Sequence, residues 1–99
     1  MREVKEVDIY VDGKRIIENL TLNYKAFDMK SNEPQSITAT AFLPSEEYFS
    51  QRRSLVIDFK DGIFARANIY ESLRLGDEYQ SDMVIVDAGY SLEEMLSAE

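Results

Sequence analysis

Apolar and polar residues alternate with a period of two along most of the chain, which predicts strands rather than helices. The clearest case sets Leu55, Ile57 and Phe59 against Val56, Asp58 and Lys60. After Asp61-Gly62, alternation resumes at Ile63, Ala65, Ala67 and Ile69. A two-residue Asp61-Gly62 loop would set core positions opposite solvent positions, because paired residues share a face. A three-residue loop, Lys60-Asp61-Gly62, instead pairs Phe59 with Ile63, Ile57 with Ala65 and Leu55 with Ala67. It also puts Gly62 at the third loop position, where left-handed backbone forms the bulge of such hairpins. This central hairpin is the expected spine of the fold. Its second face carries Phe64, Arg66, Asn68 and Tyr70 opposite Val56 and Asp58, a mixed surface expected to be covered in part.

Upstream, Val7, Ile9 and Val11 predict a first strand over residues 4–11. Asp12-Gly13 then predicts a two-residue turn that sets Ile9 opposite Ile16 and Val11 opposite Lys14. The second strand continues through Leu20, Leu22 and Tyr24, with Glu18-Asn19 breaking the alternation where a bulge would sit. Residues 28–36 are polar, contain Pro34 and read as a loop. Ser36 to Leu43 form a third strand with Ile37, Ala39, Ala41 and Leu43 on one face, the small alanines implying tight curvature or a close neighbour.

Pro44 ends that strand. Ser45-Glu46-Glu47-Tyr48-Phe49 predicts one helical turn, with Tyr48 and Phe49 plugging an end of the core. Ser72 to Leu75 extend the fifth strand and Gly76-Asp77 break it. Met83 to Val86 predict a strand over residues 79–87 buried on both sides. Ser91 with Glu94 makes a capping-box pattern for a short C-terminal helix whose Leu92, Met95 and Leu96 pack on the sheet or on another subunit. The fold class expected is β-rich, all-β or α+β: one domain over residues 1–99, a bent antiparallel sheet or partly open barrel of about six strands.

The composition narrows the chemistry. The 99 residues contain no cysteine and no histidine. Disulfides, thiolate catalysis and cysteine zinc sites are excluded, and the usual general base and transition-metal ligand are missing. The glycines fall one per turn, with no phosphate-cradling loop. Glu46-Glu47 and Glu93-Glu94 read as helix-start acids rather than a catalytic pair. Asp77, Glu78 and Asp82 lack the spacing of a regular calcium loop. The chain is therefore expected to be no enzyme and to hold no metal or cofactor. No window is apolar enough to span a membrane, and the charged start is unlike a signal peptide. The expected location is the cytoplasm, or a virion if the chain is phage-derived.

The net charge of −8 is unevenly placed. Residues 52–74 carry five bases against three acids, while residues 75–99 carry seven acids and no base. Two candidate contact surfaces follow. The basic one comprises Arg52, Arg53, Arg66 and Arg74 with Phe64 and Tyr70. The acidic one comprises Asp77, Glu78, Asp82, Asp87, Glu93 and Glu94. Arginines beside aromatics on a small barrel could hold a single nucleic-acid strand, but the overall charge opposes approach to phosphates. The expected partner is protein.

The function expected is a non-enzymatic interaction or assembly module, with the basic surface of one copy meeting the acidic surface of the next in a homo-oligomer or larger assembly. Its rival is a small acidic inhibitor or adaptor docking on a basic protein surface. The segments IYVDGKRI, SITATAFLP and VIDFKDGIF resemble those of small β-barrel components of contractile or siphophage tails and baseplates. That resemblance implies a structural assembly role and assigns no functional residue.

Overall fold

A computed structural model describes residues 1–29, 36–44 and 54–97. They form strands β1 (Arg2–Val11), β2 (Lys14–Lys25), β3 (Ile37–Leu43), β4 (Ser54–Asp58), β5 (Phe64–Leu75) and β6 (Glu78–Gly89), then helix α1 (Leu92–Ser97). Every pairing is antiparallel and all six strands belong to one bent sheet. The order is β1-β2-β3-β6-β5-β4, and β4 returns to β1. A partly open arrangement was one expectation; here Asp8, Ile9 and Tyr10 pair with Asp58, Ile57 and Val56 and close the sheet. The expected helical turn over residues 45–49, its Tyr48 and Phe49, and most of the 28–36 loop lie outside the described residues.

The central hairpin has the bulged register, with Leu55 opposite Ala67 and Ile57 opposite Ala65. Phe59 N–H donates to the Ile63 carbonyl at 3.1 Å across the loop. Gly62 is left-handed at φ 93°, and so, unexpectedly, is Lys60 at φ 62°. Lys60 tolerates that conformation because its N–H donates to Asp58 Oδ1 at 2.8 Å.

The first hairpin differs from expectation by one residue. Asp12 and Gly13 both have positive φ, the primed turn that twists with its strands, and Val11 faces Lys14. Ile9, however, pairs with Ile17 rather than Ile16, because the register shifts between Ile9 and Tyr10. A second shift, between Val7 and Ile9, leaves an extra residue at the expected Glu18-Asn19 position. Asn19 there is left-handed at φ 57°.

What fixes that second bulge is Asp8, one of two buried polar side chains in the described core. Its carboxylate accepts the Asn19 N–H at 3.0 Å and lies 3.0 Å from Lys60 Nζ and 3.7 Å from Arg15. One acid thus ties a bulge in β2 to the β4–β5 loop. Burial alone would raise its pKa. The Asn19 and Lys60 hydrogen bonds, with the Lys60 and Arg15 charges, outweigh burial and hold it below the ordinary aspartate value. A lowered carboxylate stabilises the fold above its unfolded pKa of about 3.9, and the contribution is lost as pH falls through the lower folded value. Asp8→Asn is expected to cost about 1–3 kcal/mol at pH 7. It should also make the urea midpoint less pH-dependent in the acid range, where an unchanged profile would remove Asp8 from this role.

The interior is filled by large residues set beside small ones. Ile85 of β6 sits between Ile37 of β3 and Ala67 of β5, and Met83 between Ala39 and Ile69. Ala39, Ala41, Ala65 and Ala67 are all buried, which lets β3 and β5 curve closely around β6. At the end nearest the central loop, Tyr24 and Phe59 meet edge-on with centroids 5.1 Å apart, and Phe27 completes the plug. On the outer side of the sheet, α1 folds back over β4, β5 and β6 and buries Met95. Its start is capped as expected, with Glu94 N–H donating to Ser91 Oγ at 3.3 Å. This is the partial cover expected over Val56, which is buried although its side chain points away from the core.

Candidate protein-docking face

Strand pairing, not nearness along the chain, decides which surface residues meet. β5 pairs with β6 along its whole length, so the basic and acidic segments of the sequence lie on adjacent strands. Arg66 is opposite Asp87, their side chains 3.6 Å apart. Phe64 is half-buried beside Gly89. Arg74 is eight residues further along β5, about 26 Å away at the rise of a strand, and its Nε donates to the Gly76 carbonyl at 3.2 Å. Arg52 and Arg53 lie outside the described residues. The expected basic surface is thus divided between the two ends of β5.

A further register shift, between Ile69 and Glu71, leaves Tyr70 as the extra residue of β5. It exchanges the faces of everything beyond it. Ser72 now faces the buried Ser81, their hydroxyls 3.3 Å apart, which puts Arg74 on that inner side. Glu71, Leu73 and Leu75 turn outward. Tyr70 itself is exposed.

The outward turn assembles a face no single segment announces. Across it run Val4, Asn23, Thr40, Asp82 and Glu71, each paired with the next. The neighbouring row holds Phe42, Gln80 and Leu73, placing Phe42 and Leu73 about 10 Å apart at normal strand spacing. Val4 is 65% exposed, Phe42 47%, Leu73 58% and Leu75 46%. Interleaved with them are the carboxylates of Glu6, Glu71, Glu78 and Asp82. Arg2 lies at the far end and is occupied: its guanidinium donates to Asn23 Oδ1 and to Thr38 Oγ1, each at 2.8 Å. Arg2, Val4, Thr21, Asn23, Thr40 and Phe42 line a shallow groove of about 370 Å³.

Of the expected acidic surface, Glu78 and Asp82 belong to this face and Asp77 sits at the adjoining turn. Asp82 is oriented by Thr40 Oγ1, which donates to it at 2.9 Å. Asp87 is occupied by Arg66, and Glu93 and Glu94 lie on the first turn of α1. The sequence reading missed Val4, Glu6, Phe42, Glu71, Leu73 and Leu75. For Phe42 the signal was present, since it alternates against the inward alanines of β3.

Among the described residues, no group of three or more acids converges as a metal site would require, and no helix is long and apolar enough to cross a membrane. Compared with known proteins, the chain matches no family model, no curated protein and no solved structure.

Proposed function

We propose that the chain is a non-enzymatic protein-interaction module whose outer β2-β3-β6-β5 face docks on a basic, partly apolar surface of another protein. The observation that carries this is the placement of Phe42, Leu73 and Leu75, all exposed, among the carboxylates of Glu71, Glu78 and Asp82. Apolar area supplies affinity, while a ring of like charge selects a complementary partner and speeds encounter. Such an association weakens with salt, because exposed charges are screened beyond about 8 Å at physiological ionic strength.

Charge reversal gives the test. Immobilised wild-type chain should retain a basic protein from its own cells at low salt and release it as salt rises. The double variant Glu71→Lys/Asp82→Lys should fail to retain the same protein. Recovery of one set of proteins by both chains would remove the proposal.

A second reading, self-assembly as a subunit of the phage-tail or baseplate type, draws support from the exposure of β5 from Tyr70 to Leu75. Arg66 is engaged by Asp87 within one chain, which takes a contact from a head-to-tail form of it. Sedimentation separates the two: hetero-docking leaves a monomer at both low and high salt, and assembly yields larger species.

A further inference from the structure

We infer that the groove over β2 on the docking face is the seat for an aromatic side chain, presented by the partner within an extended basic segment. The inference rests on the docking reading and names the residue that reading leaves open. Thr21 and Asn23 of β2 form the floor of the groove, Val4 of β1 one wall, and Thr40 and Phe42 of β3 the other. Short polar side chains on the middle strand, between larger ones on its neighbours, are what hollow the surface there. At about 370 Å³ the groove has room for a large side chain.

Arg2 closes one end and selects the occupant. Its side chain leaves β1, crosses β2 and reaches β3. Nε donates to Asn23 Oδ1 at 2.8 Å and Nη2 to the Asn23 carbonyl at 3.2 Å. Nη1 donates to Thr38 Oγ1 at 2.8 Å and to the Thr38 carbonyl at 3.2 Å. The strand end it reaches from is held by the Ala26 N–H, which donates to the Met1 carbonyl at 2.9 Å. Hydrogen bonds of a guanidinium lie in its plane. With its N–H edges turned to β2 and β3, what Arg2 offers a side chain in the groove is its flat face, and Arg2 remains exposed. A flat cation held in this way is a stacking surface for an aromatic ring, an attraction no aliphatic side chain shares. Phe42 adds a second ring on the facing wall. The surrounding charge sets the context of that ring. Glu6 is paired with Thr21 and Asp82 with Thr40, so an acid stands beside the groove on either side. Lysines flanking the aromatic residue reach these acids, and acidic neighbours are repelled.

The probes are the peptide Lys-Lys-Phe-Lys-Lys and the same peptide with cyclohexylalanine in place of Phe, each titrated into the full chain and followed by NMR. Cyclohexylalanine is the more apolar of the two, so burial alone favours it, whereas only the phenyl ring stacks on a cation. The Phe peptide should bind about two- to fivefold more tightly, the gain of an exposed cation–π contact, with ring-current shifts at Arg2 Nε–H and the Val4 methyls. Arg2→Met removes the cation and should bring that ratio to one or below. Because the ratio is taken within one variant, altered folding cannot imitate it. A wild-type ratio of one or less, with both peptides still shifting Phe42 and Leu73, would overturn the aromatic seat and leave the docking reading standing. A preference for Phe that survives in Arg2→Met would overturn the seat as well. Shifts on this face from neither peptide would remove the docking reading, and this inference with it.

Discussion

Ile57→Ala is expected to lower the unfolding free energy by about 2–5 kcal/mol, the range for large-to-small changes in a core. Single domains of this size hold only about 5–15 kcal/mol in total, so the variant should be close to unfolding at 37 °C. Ile57 has no exposed surface and is paired with Ala65 on one side and Ile9 on the other. The alanine opposite it cannot fill the cavity. The β1–β4 seam, where the sheet closes, pairs only three residues, of which Ile57 and Ile9 are the middle couple. Leu73→Ala is the control: it sits on the outer face and should cost within about 0.5 kcal/mol. Urea unfolding compares the two, and equal losses would mean that the assignment of faces is wrong.

The second large effect concerns binding. Removing Phe42 and Leu73 together, as Phe42→Ser/Leu73→Ser, should weaken association with the captured basic partner by at least about thirtyfold, or roughly 2 kcal/mol. Both residues flank Gln80 at the centre of the face, where truncation of an aromatic anchor is most costly. Carboxylates at the rim behave differently. Neutralising Glu71 should mainly slow association and flatten its salt dependence, leaving the dissociation rate little changed. Calorimetry and kinetics on the same variants separate the two contributions, and urea unfolding of the double variant checks that it remains folded.

Local chemistry was legible in the sequence; cross-strand geometry was not. Gly62 and Asp12-Gly13 announce their turns because those residue types enter the left-handed region readily, whereas the left-handed Lys60 carries no such mark. Ile37, Ala39, Ala41 and Leu43 announce the inward face of β3 by alternation alone. Ser91 and Glu94 announce the start of α1. The bulges opposite Ile9 and at Tyr70 carry no comparable mark, because each is set by the strand alongside. The one anticipated, at Glu18-Asn19, was visible because it breaks a hydrophobic pattern, although the Asp8 carboxylate that stabilises it came from another strand.

The candidate surface shows the same division more sharply. Grouping Arg52 to Arg74 against Asp77 to Glu94 assumes that segments distant in sequence are distant in space. The β5–β6 hairpin folds one group onto the other, and Arg66 meets Asp87. The negative charge of the last quarter is real. It is spent in three places, and only the part carried by Glu78 and Asp82 combines with Glu71, Phe42 and Leu73 into a contact surface. That combination depends on β3, β6 and β5 lying side by side, an order that requires the crossover between β3 and β4 and has no signature in any local window.

The most direct measurement of the docking claim is NMR mapping of the whole chain with a short peptide of alternating lysine and leucine, a stand-in for a basic and partly apolar surface. Its shifts should centre on Val4, Phe42, Leu73 and Asp82, diminish with salt, and disappear in Glu71→Lys/Asp82→Lys. Shifts centred instead on Glu93 and Glu94 of α1, or equally strong in the charge-reversed chain, would contradict it.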